Sequence, residues 1–316
     1  MRTAVTAGHV AERLAGRRVL LTGASGFIGS HVLRRLEDAG AEVHAVSRRP
    51  GPGGAGVRWW QVDLADWEET RALVEATRPE VILHLAGHPE GARALELVLP
   101  TFRSNLQSTV NLLSAAAETG AGRVVLTGSL EEPEAGAVEA VPSSPYAVSK
   151  WAAGAYGRLF EALFALPVVC LRVFMVYGPG TQDVRKVVPY SALALLRGEA
   201  PRLSSGRREV DWIYVEDVAD AFLAAAVADG LSGATLDVGS GVLTSIRDVV
   251  TALQGLAGTG VEPAFGALPD RPLEQVRRAD VPRTTECLGW RPAVELDEGL
   301  RRTVDWFRAE LGAGRS

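Results

Sequence analysis

Residues 18–30 read RVLLTGASGFIGS, and the order of residue types in this stretch decides the fold. Arg18–Thr22 is a short apolar run that stops at a glycine, the pattern of a buried parallel strand. From Phe27 to residue 39 the apolar positions recur at helical spacing, and Gly40 closes the run before a second strand over Glu42–Ser47. Strand, turn, helix and strand make a βαβ unit. Within the turn, Gly23, Gly26 and Gly29 form a G-x-x-G-x-x-G pattern. Glycines there let the turn tighten and the backbone approach a pyrophosphate, which settles on the free amides at the positive end of the following helix. Gly23, Ser25, Gly26, Phe27, Ile28 and Gly29 are therefore the first candidate cofactor contacts.

Outward from this unit the alternation continues. Apolar strand-length runs at 57–62, 81–86, 123–127 and 168–174 are separated by helical stretches at 68–77, 101–119 and 146–164. Such spacing predicts an α/β fold, a doubly wound, mostly parallel Rossmann sheet with helices on both faces. The loop PGPGGAG at 50–56 is too glycine-rich for regular structure. Beyond Gly178 the pattern loosens into a smaller, irregular lobe, with 234–238 a candidate returning strand. The predicted division is a dinucleotide domain over 17–175, also receiving 211–240, and a substrate lobe over 176–316.

Composition narrows the function classes. A chain of 316 residues, 47% hydrophobic, can fill a sizeable core. A net charge of −5 argues against nucleic acid or an anionic membrane as partner and favours a small-molecule substrate. Cys170 and Cys287 are the only cysteines, too few for a disulfide framework and not spaced as metal ligands, so no metal is expected. The N-terminal residues lack the apolar core of a signal peptide, and no stretch approaches about eighteen consecutive apolar residues. A cytoplasmic protein is expected.

Where the second strand ends, an acid would bind the ribose hydroxyls of NAD, but the chain has Ser47, Arg48 and Arg49. Arginines there accommodate the 2′-phosphate of NADP through forked, charge-assisted hydrogen bonds. Asp63 and Leu64 follow the third strand, where Asp63 serves either the adenine edge or the cap of the next helix. Leu85, Ala86 and Gly87 follow the fourth and pass under the cofactor.

The catalytic signal is SSPYAVSK at 143–150, which sets Tyr146 and Lys150 four residues apart on one helix face. With five tyrosines and two lysines in the chain, chance supplies roughly 0.03 such pairs. A phenol titrates near about 10, too high for neutral acid–base work, and a neighbouring lysine is expected to lower it. Upstream, VVLTGS at 124–129 delivers Ser129 to the C-terminal edge of the sheet, where its hydroxyl can hold a substrate oxygen.

These residues together resemble the extended short-chain dehydrogenase/reductases, the epimerase, dehydratase and reductase family that modifies nucleotide sugars. The likeness runs through HLAG at 84–87, Asn105, LRVFMVYGPG at 171–180, DWIYVEDVADAF at 211–222, RPLEQVRRAD at 271–280 and LGWRPAVELDEGLRRTVDWF at 288–307. It implies a homodimer built through a four-helix interface, Ser129, Tyr146 and Lys150 as the catalytic set, Asn105 at the cofactor and Arg271 at the diphosphate. Two positions depart from the pattern: Met175 stands where relatives carry Asn, and Val210 where they carry Arg. Arg207 and Arg208 are the candidates to replace the latter.

GSLEEPE at 128–134 is similar to the GS-x-E pattern of GDP-4-keto-6-deoxymannose reductases. It also sets Glu131 two residues after Ser129, the spacing of a dehydratase acid–base, unless this acidic run is simply a solvated loop. With arginines favouring NADP, the leading expectation is NADPH-dependent reduction of a 4-keto-6-deoxy nucleotide sugar. The alternatives are an epimerase or a 4,6-dehydratase or decarboxylase that recycles its cofactor, and a non-catalytic NADP-binding regulator.

Overall fold

The computed structural model describes residues 7–51, 56–133, 140–271 and 275–314. Most of the glycine-rich loop at 50–56, Glu134 and residues 272–274 lie outside the described residues. In chain order the elements are α1 (Ala7–Leu14), β1 (Arg18–Thr22), α2 (Phe27–Asp38), β2 (Glu42–Ser47), β3 (Val57–Gln61), α3 (Trp67–Thr77) and β4 (Val81–His84). Then come α4 (Val98–Thr101), which runs through a π-helical turn (Phe102–Gln107) into α5 (Ser108–Thr119), β5 (Arg123–Ser129), α6 (Pro145–Phe164), β6 (Val168–Val173), β7 (Met175–Tyr177), α7 (Val187–Leu196), β8 (Arg202–Leu203) and β9 (Glu209–Tyr214). The chain ends with α8 (Val215–Val227), β10 (Thr235–Val238), β11 (Leu243–Ser245), α9 (Ile246–Ala257), β12 (Ala264–Phe265), α10 (Val281–Leu288) and α11 (Leu296–Gly312).

Two compact units divide the chain. The first runs to Val173 and adds Ala219–Val238 and Pro282–Trp290. Its seven strands lie in the order β10-β6-β5-β4-β1-β2-β3, with every neighbouring pair parallel. Parallel neighbours need a crossover, and the helices between strands supply it. The strand centres are apolar because helices cover both faces. Leu20, Ile82, Val124 and Val168 are buried in one cluster with Leu73 and Val74 of α3 and Leu112 and Leu113 of α5. Strand order reverses direction between β1 and β4, so the crevice at the carboxyl ends of those strands is where this architecture receives a ligand.

The second unit comprises Phe174–Val218, Gly239–Val281 and the chain from Arg291. Strand β9 pairs in parallel with β7 and antiparallel with β11, and β8 pairs with β12. This moves the predicted boundary: β9 belongs to the second unit's own sheet, so the return to the first unit starts at Ala219 rather than at 211, and Pro282–Trp290 joins it. The lobe is also more regular than the sequence suggests. Helices α7, α9 and α11 enclose a core of Tyr177, Val188, Ala192, Trp212, Tyr214, Leu253, Leu300 and Phe307. Asp211, 1% exposed, accepts hydrogen bonds from the Ser240 amide and hydroxyl, the Gly241 amide and the Ala279 amide, at 2.6–2.9 Å. That one carboxylate ties β9 to two loops of its own unit. Among the described residues no helix is long and apolar enough to cross a membrane.

Candidate active site

The glycine turn after β1 has the shape its sequence requires. Gly23 adopts φ +71°, and a Cβ there would lie 2.7 Å from the Ala86 amide nitrogen. At Gly29 a Cβ would collide with the Gly23 carbonyl oxygen, so helix α2 can pack this closely on the turn only through glycine. Helix α2 starts from Gly26 with no side-chain cap, which leaves its first amides for an anion. Ser25 and Gly26 are exposed, and Phe27 and Ile28 are half-buried. A backbone cradle that any side chain would fill fits a dinucleotide pyrophosphate.

The end of β4 closes against this turn. The Leu85 amide donates to the Thr22 carbonyl and the Ala86 amide to Thr22 Oγ1, at 3.2 and 3.1 Å. Behind them His84 is buried between Thr22 Oγ1 at 2.8 Å and Thr109 Oγ1 at 3.0 Å. Burial, helped by the Lys150 charge, pushes its imidazole down to about 3. A Cβ at Gly87 would lie 2.9 Å from Asn105 Oδ1. Asn105 sits on the π-helical turn, fully buried. It accepts from the His88 amide at 2.6 Å and donates to the His88 carbonyl at 3.2 Å and to Ser149 Oγ at 3.0 Å.

At the end of β2, Ser47 is half-buried and its hydroxyl donates to the Arg49 carbonyl; Arg48 and Arg49 are exposed. Asp63 does not cap α3. That cap is Asp66, whose side chain accepts from the Glu69 amide at 2.9 Å. Asp63 instead pairs with Arg103 at 3.0 Å, while Leu64 is buried in the core.

Helix α6 starts where it does because Ser144 caps it, accepting from the Ala147 amide at 3.1 Å, with Pro145 at the first helical position. That start places Tyr146 against the end of β5. Ser129, 6% exposed, accepts at its Oγ from the Glu131 amide at 3.2 Å, and its hydroxyl lies close enough to the Tyr146 phenol to influence its titration. Lys150, one turn along α6, is buried, and its Nζ donates to the Thr127 carbonyl at 2.9 Å. The expected lowering of the phenol by lysine is not what the structure holds. Burial pushes Tyr146 above its ordinary value, the nearby Ser129 hydroxyl draws it down, and Glu131 and Glu132 push it up again. Burial likewise lowers Lys150, against the opposing influence of Cys170 and Glu132.

The described acidic residues after Ser129 are not a solvated loop. Glu131 is half-buried, its Oε2 accepts from Ser144 Oγ at 3.4 Å, and it faces Gly91. Glu132, part of the same acidic run, is 4% exposed and accepts from the Ser129 amide at 2.6 Å. Nothing in the residue order distinguishes a buried glutamate from two acidic neighbours.

The predicted substrate arginines lie in the second unit. Arg271 and Arg207 are exposed, and the Arg208 guanidinium donates to the Gln275 carbonyl at 3.0 and 3.3 Å. Val210 is buried in that unit's core, and half-buried Met175 pairs with Trp212 across β7 and β9. Among the described residues no cluster of three or more His, Cys, Asp or Glu is arranged to hold a metal ion.

Comparison with known proteins agrees with this architecture. The NAD dependent epimerase/dehydratase family model matches residues 19–239. A UDP-glucose 4-epimerase of Mycolicibacterium smegmatis is 34% identical, over 92% of this chain and 98% of its own length. A dTDP-glucose 4,6-dehydratase of Neisseria meningitidis serogroup B is 28% identical, over 92% of this chain and 93% of its own. The crystal structure of the Thermus thermophilus UDP-glucose 4-epimerase in complex with NAD superposes with a TM-score of 0.81 at 32% identity, covering 92% of this chain and 99% of that one. The chain belongs to the NAD dependent epimerase/dehydratase family.

Proposed function

We propose that this protein remodels the sugar of a nucleoside-diphosphate hexose by oxidation at C4, the hydride returning to C4 in an epimerisation or to C6 after an elimination, so that a pyridine nucleotide is recycled within each turnover. Glu131 then adds the proton transfers of an elimination across C5 and C6. One observation carries this reading: the Ser129 hydroxyl, which accepts from the Glu131 amide at 3.2 Å, lies close enough to the Tyr146 phenol to draw its pKa down, and Lys150 is buried one helical turn beyond Tyr146 on α6. In support, relatives are UDP-glucose 4-epimerases and dTDP-glucose 4,6-dehydratases, and solved neighbours were crystallised with NAD or UDP-glucose.

The cradle of Gly23, Ser25, Gly26, Phe27, Ile28 and Gly29, with Leu85, Ala86, Gly87 and Asn105 beside it, would hold the dinucleotide. When bound, a pyridine nucleotide supplies the hydride acceptor and donor. The protein's own part is proton movement. Ser129 Oγ holds the C4 oxygen, and the Tyr146 hydroxyl is the group that exchanges the C4 hydroxyl proton, reacting through its minor ionised form, with Lys150 one helical turn along. In the 4-keto sugar the Glu131 carboxylate takes the proton from C5 and gives it to the departing C6 hydroxyl, so one water leaves; C5 regains a proton as C6 receives the returned hydride. Arg207, Arg208 and Arg271 would meet the diphosphate.

A second reading is favoured by Arg48 and Arg49, exposed at the end of β2 where no acid stands. They suit the 2′-phosphate of NADP, and a cell-reduced cofactor suits net reduction of a 4-keto sugar. Incubation with UDP- and dTDP-hexoses and their 4-keto-6-deoxy derivatives, with NAD(H) or NADP(H), separates the readings. A product lighter by one water with no net cofactor change supports elimination. An isobaric product leaves 4-epimerisation and removes the role of Glu131. Stoichiometric NADPH consumption, with a product two hydrogens heavier, overturns recycling in favour of the ketoreductase.

A further inference from the structure

Glu132 lies one residue beyond the groups used above, and the fold has built around its carboxylate. Its amide donates to the Ser129 carbonyl at 3.1 Å, and its Oε1 accepts from the Ser129 amide at 2.6 Å. One residue thus ties both backbone polar groups of Ser129. The side chain folds back over Gly128, where a Cβ would come within 2.9 Å of Cys170 Sγ and closer still to Glu132 Oε1. Burial of a carboxylate is unfavourable without partners, and Glu132 has them: Arg172 Nε stands 3.6 Å from Oε2, and Arg172 Nη1 donates to Asp237 Oδ1 at 2.7 Å. A buried row of carboxylate, guanidinium and carboxylate therefore runs beneath the ends of β5, β6 and β10.

We propose that Glu132 is a positioning residue, an anionic clamp that fixes the turn presenting the Ser129 hydroxyl and sets the charge felt by Tyr146 and Lys150. This deepens the proposed reaction and rests on that reading. The groups facing the carboxylate are Arg172 and Cys170 from β6, Asp237 of β10 through Arg172, Tyr146 and Lys150 from α6, and Glu131 in its own turn. Loss of the negative charge favours the Tyr146 phenolate, so the limb of the pH profile that reports Tyr146 moves to lower pH.

Glu132→Gln keeps an acceptor for the Ser129 amide without the charge, and Glu132→Val removes both. The expected result is a pH limb displaced to lower pH in the Gln variant with KM little changed, and a kcat loss on the order of 100-fold in the Val variant. Independently of turnover, the Ser129 amide proton, read by NMR, moves upfield in the Gln variant as its bond to a charged acceptor weakens. Variants matching the wild type in kcat, pH profile and amide shift would overturn the clamp. If Glu132→Val does not fold, the Gln variant decides alone. If wild-type protein turns over no nucleotide sugar, the proposed reaction fails, and the amide shift still decides whether Glu132 holds Ser129.

Discussion

Gly23 combines a left-handed φ of +71° with a neighbour 2.7 Å from any added Cβ, and that neighbour is the Ala86 backbone, which cannot swing aside. Gly23→Ala therefore incurs both backbone strain and overpacking, together about 2–4 kcal/mol of stability. Urea denaturation should show that loss, and fluorescence titration with pyridine nucleotide should show weakened binding. At Tyr146 the geometry predicts the opposite pattern. Tyr146→Phe keeps the half-buried ring but loses the hydroxyl beside Ser129, so melting temperature and cofactor binding stay near wild type while kcat falls by roughly 10²–10⁴. His84 gives a pH signature. Its folded value of about 3 lies below that of an unfolded histidine, so the unfolded chain binds the extra proton as the pH falls. Stability should therefore drop by about 1.4 kcal/mol per pH unit from this group between roughly pH 6 and pH 4. A His84→Asn variant, compared with wild type by urea denaturation across that range, should show a shallower decline; parallel declines would refute the assignment.

The π-helical turn between α4 and α5 has a local consequence at Asn105, whose side chain joins the loop after β4 to α6 through His88 and Ser149. Asn105→Ala would leave the His88 amide and carbonyl without that partner. We expect a loss of about 2–4 kcal/mol in urea denaturation. Asn105→Asp, which keeps the acceptor for the His88 amide, should recover part of it. Elements of this kind mark the boundary of what residue order reveals. Strands β1 to β6 and the glycine turn were legible because each pairs a short apolar run with a steric demand that few residues meet. Tyr146 and Lys150 were legible because helical spacing alone puts them on one face. The π-turn was not, since one extra residue in a helix leaves the hydrophobic period almost unchanged. Helix α7, VVPYSALALL, is buried on nearly every side, so it has no polar face from which to read a period. The burial of Glu132 depends on Arg172, forty positions away, and on the missing side chain at Gly128, a pairing made only by folding.

The first unit also carries an apolar surface that its own core does not use. On α6, Val148, Trp151, Leu159 and Leu163 recur at helical spacing and are exposed, Leu163 by 69%. On the segment leading into the π-turn, Leu95, Val98, Leu99 and Phe102 are exposed as well, Leu95 by 87%. Between these two rows lies an apolar recess of about 580 Å³ lined by Leu95, Val98, Phe102, Leu106 and Val148. Side chains of this size, left in water on adjoining helices, are a recognised mark of an association surface. A second copy of the chain answers it most economically, because a two-fold axis brings the same two helices of each copy together and covers both rows at once. Light scattering coupled to size-exclusion chromatography should therefore report twice the chain mass at micromolar concentration. A Leu159→Glu, Phe102→Glu double variant should run as a monomer, because four like charges would be buried across the axis without partners. Neither substitution lies at Ser129, Tyr146 or the glycine turn, so pyridine-nucleotide binding should persist in the monomer. A double variant that stays dimeric would place the interface elsewhere, and a wild type that is monomeric at all accessible concentrations would leave this surface to a different partner.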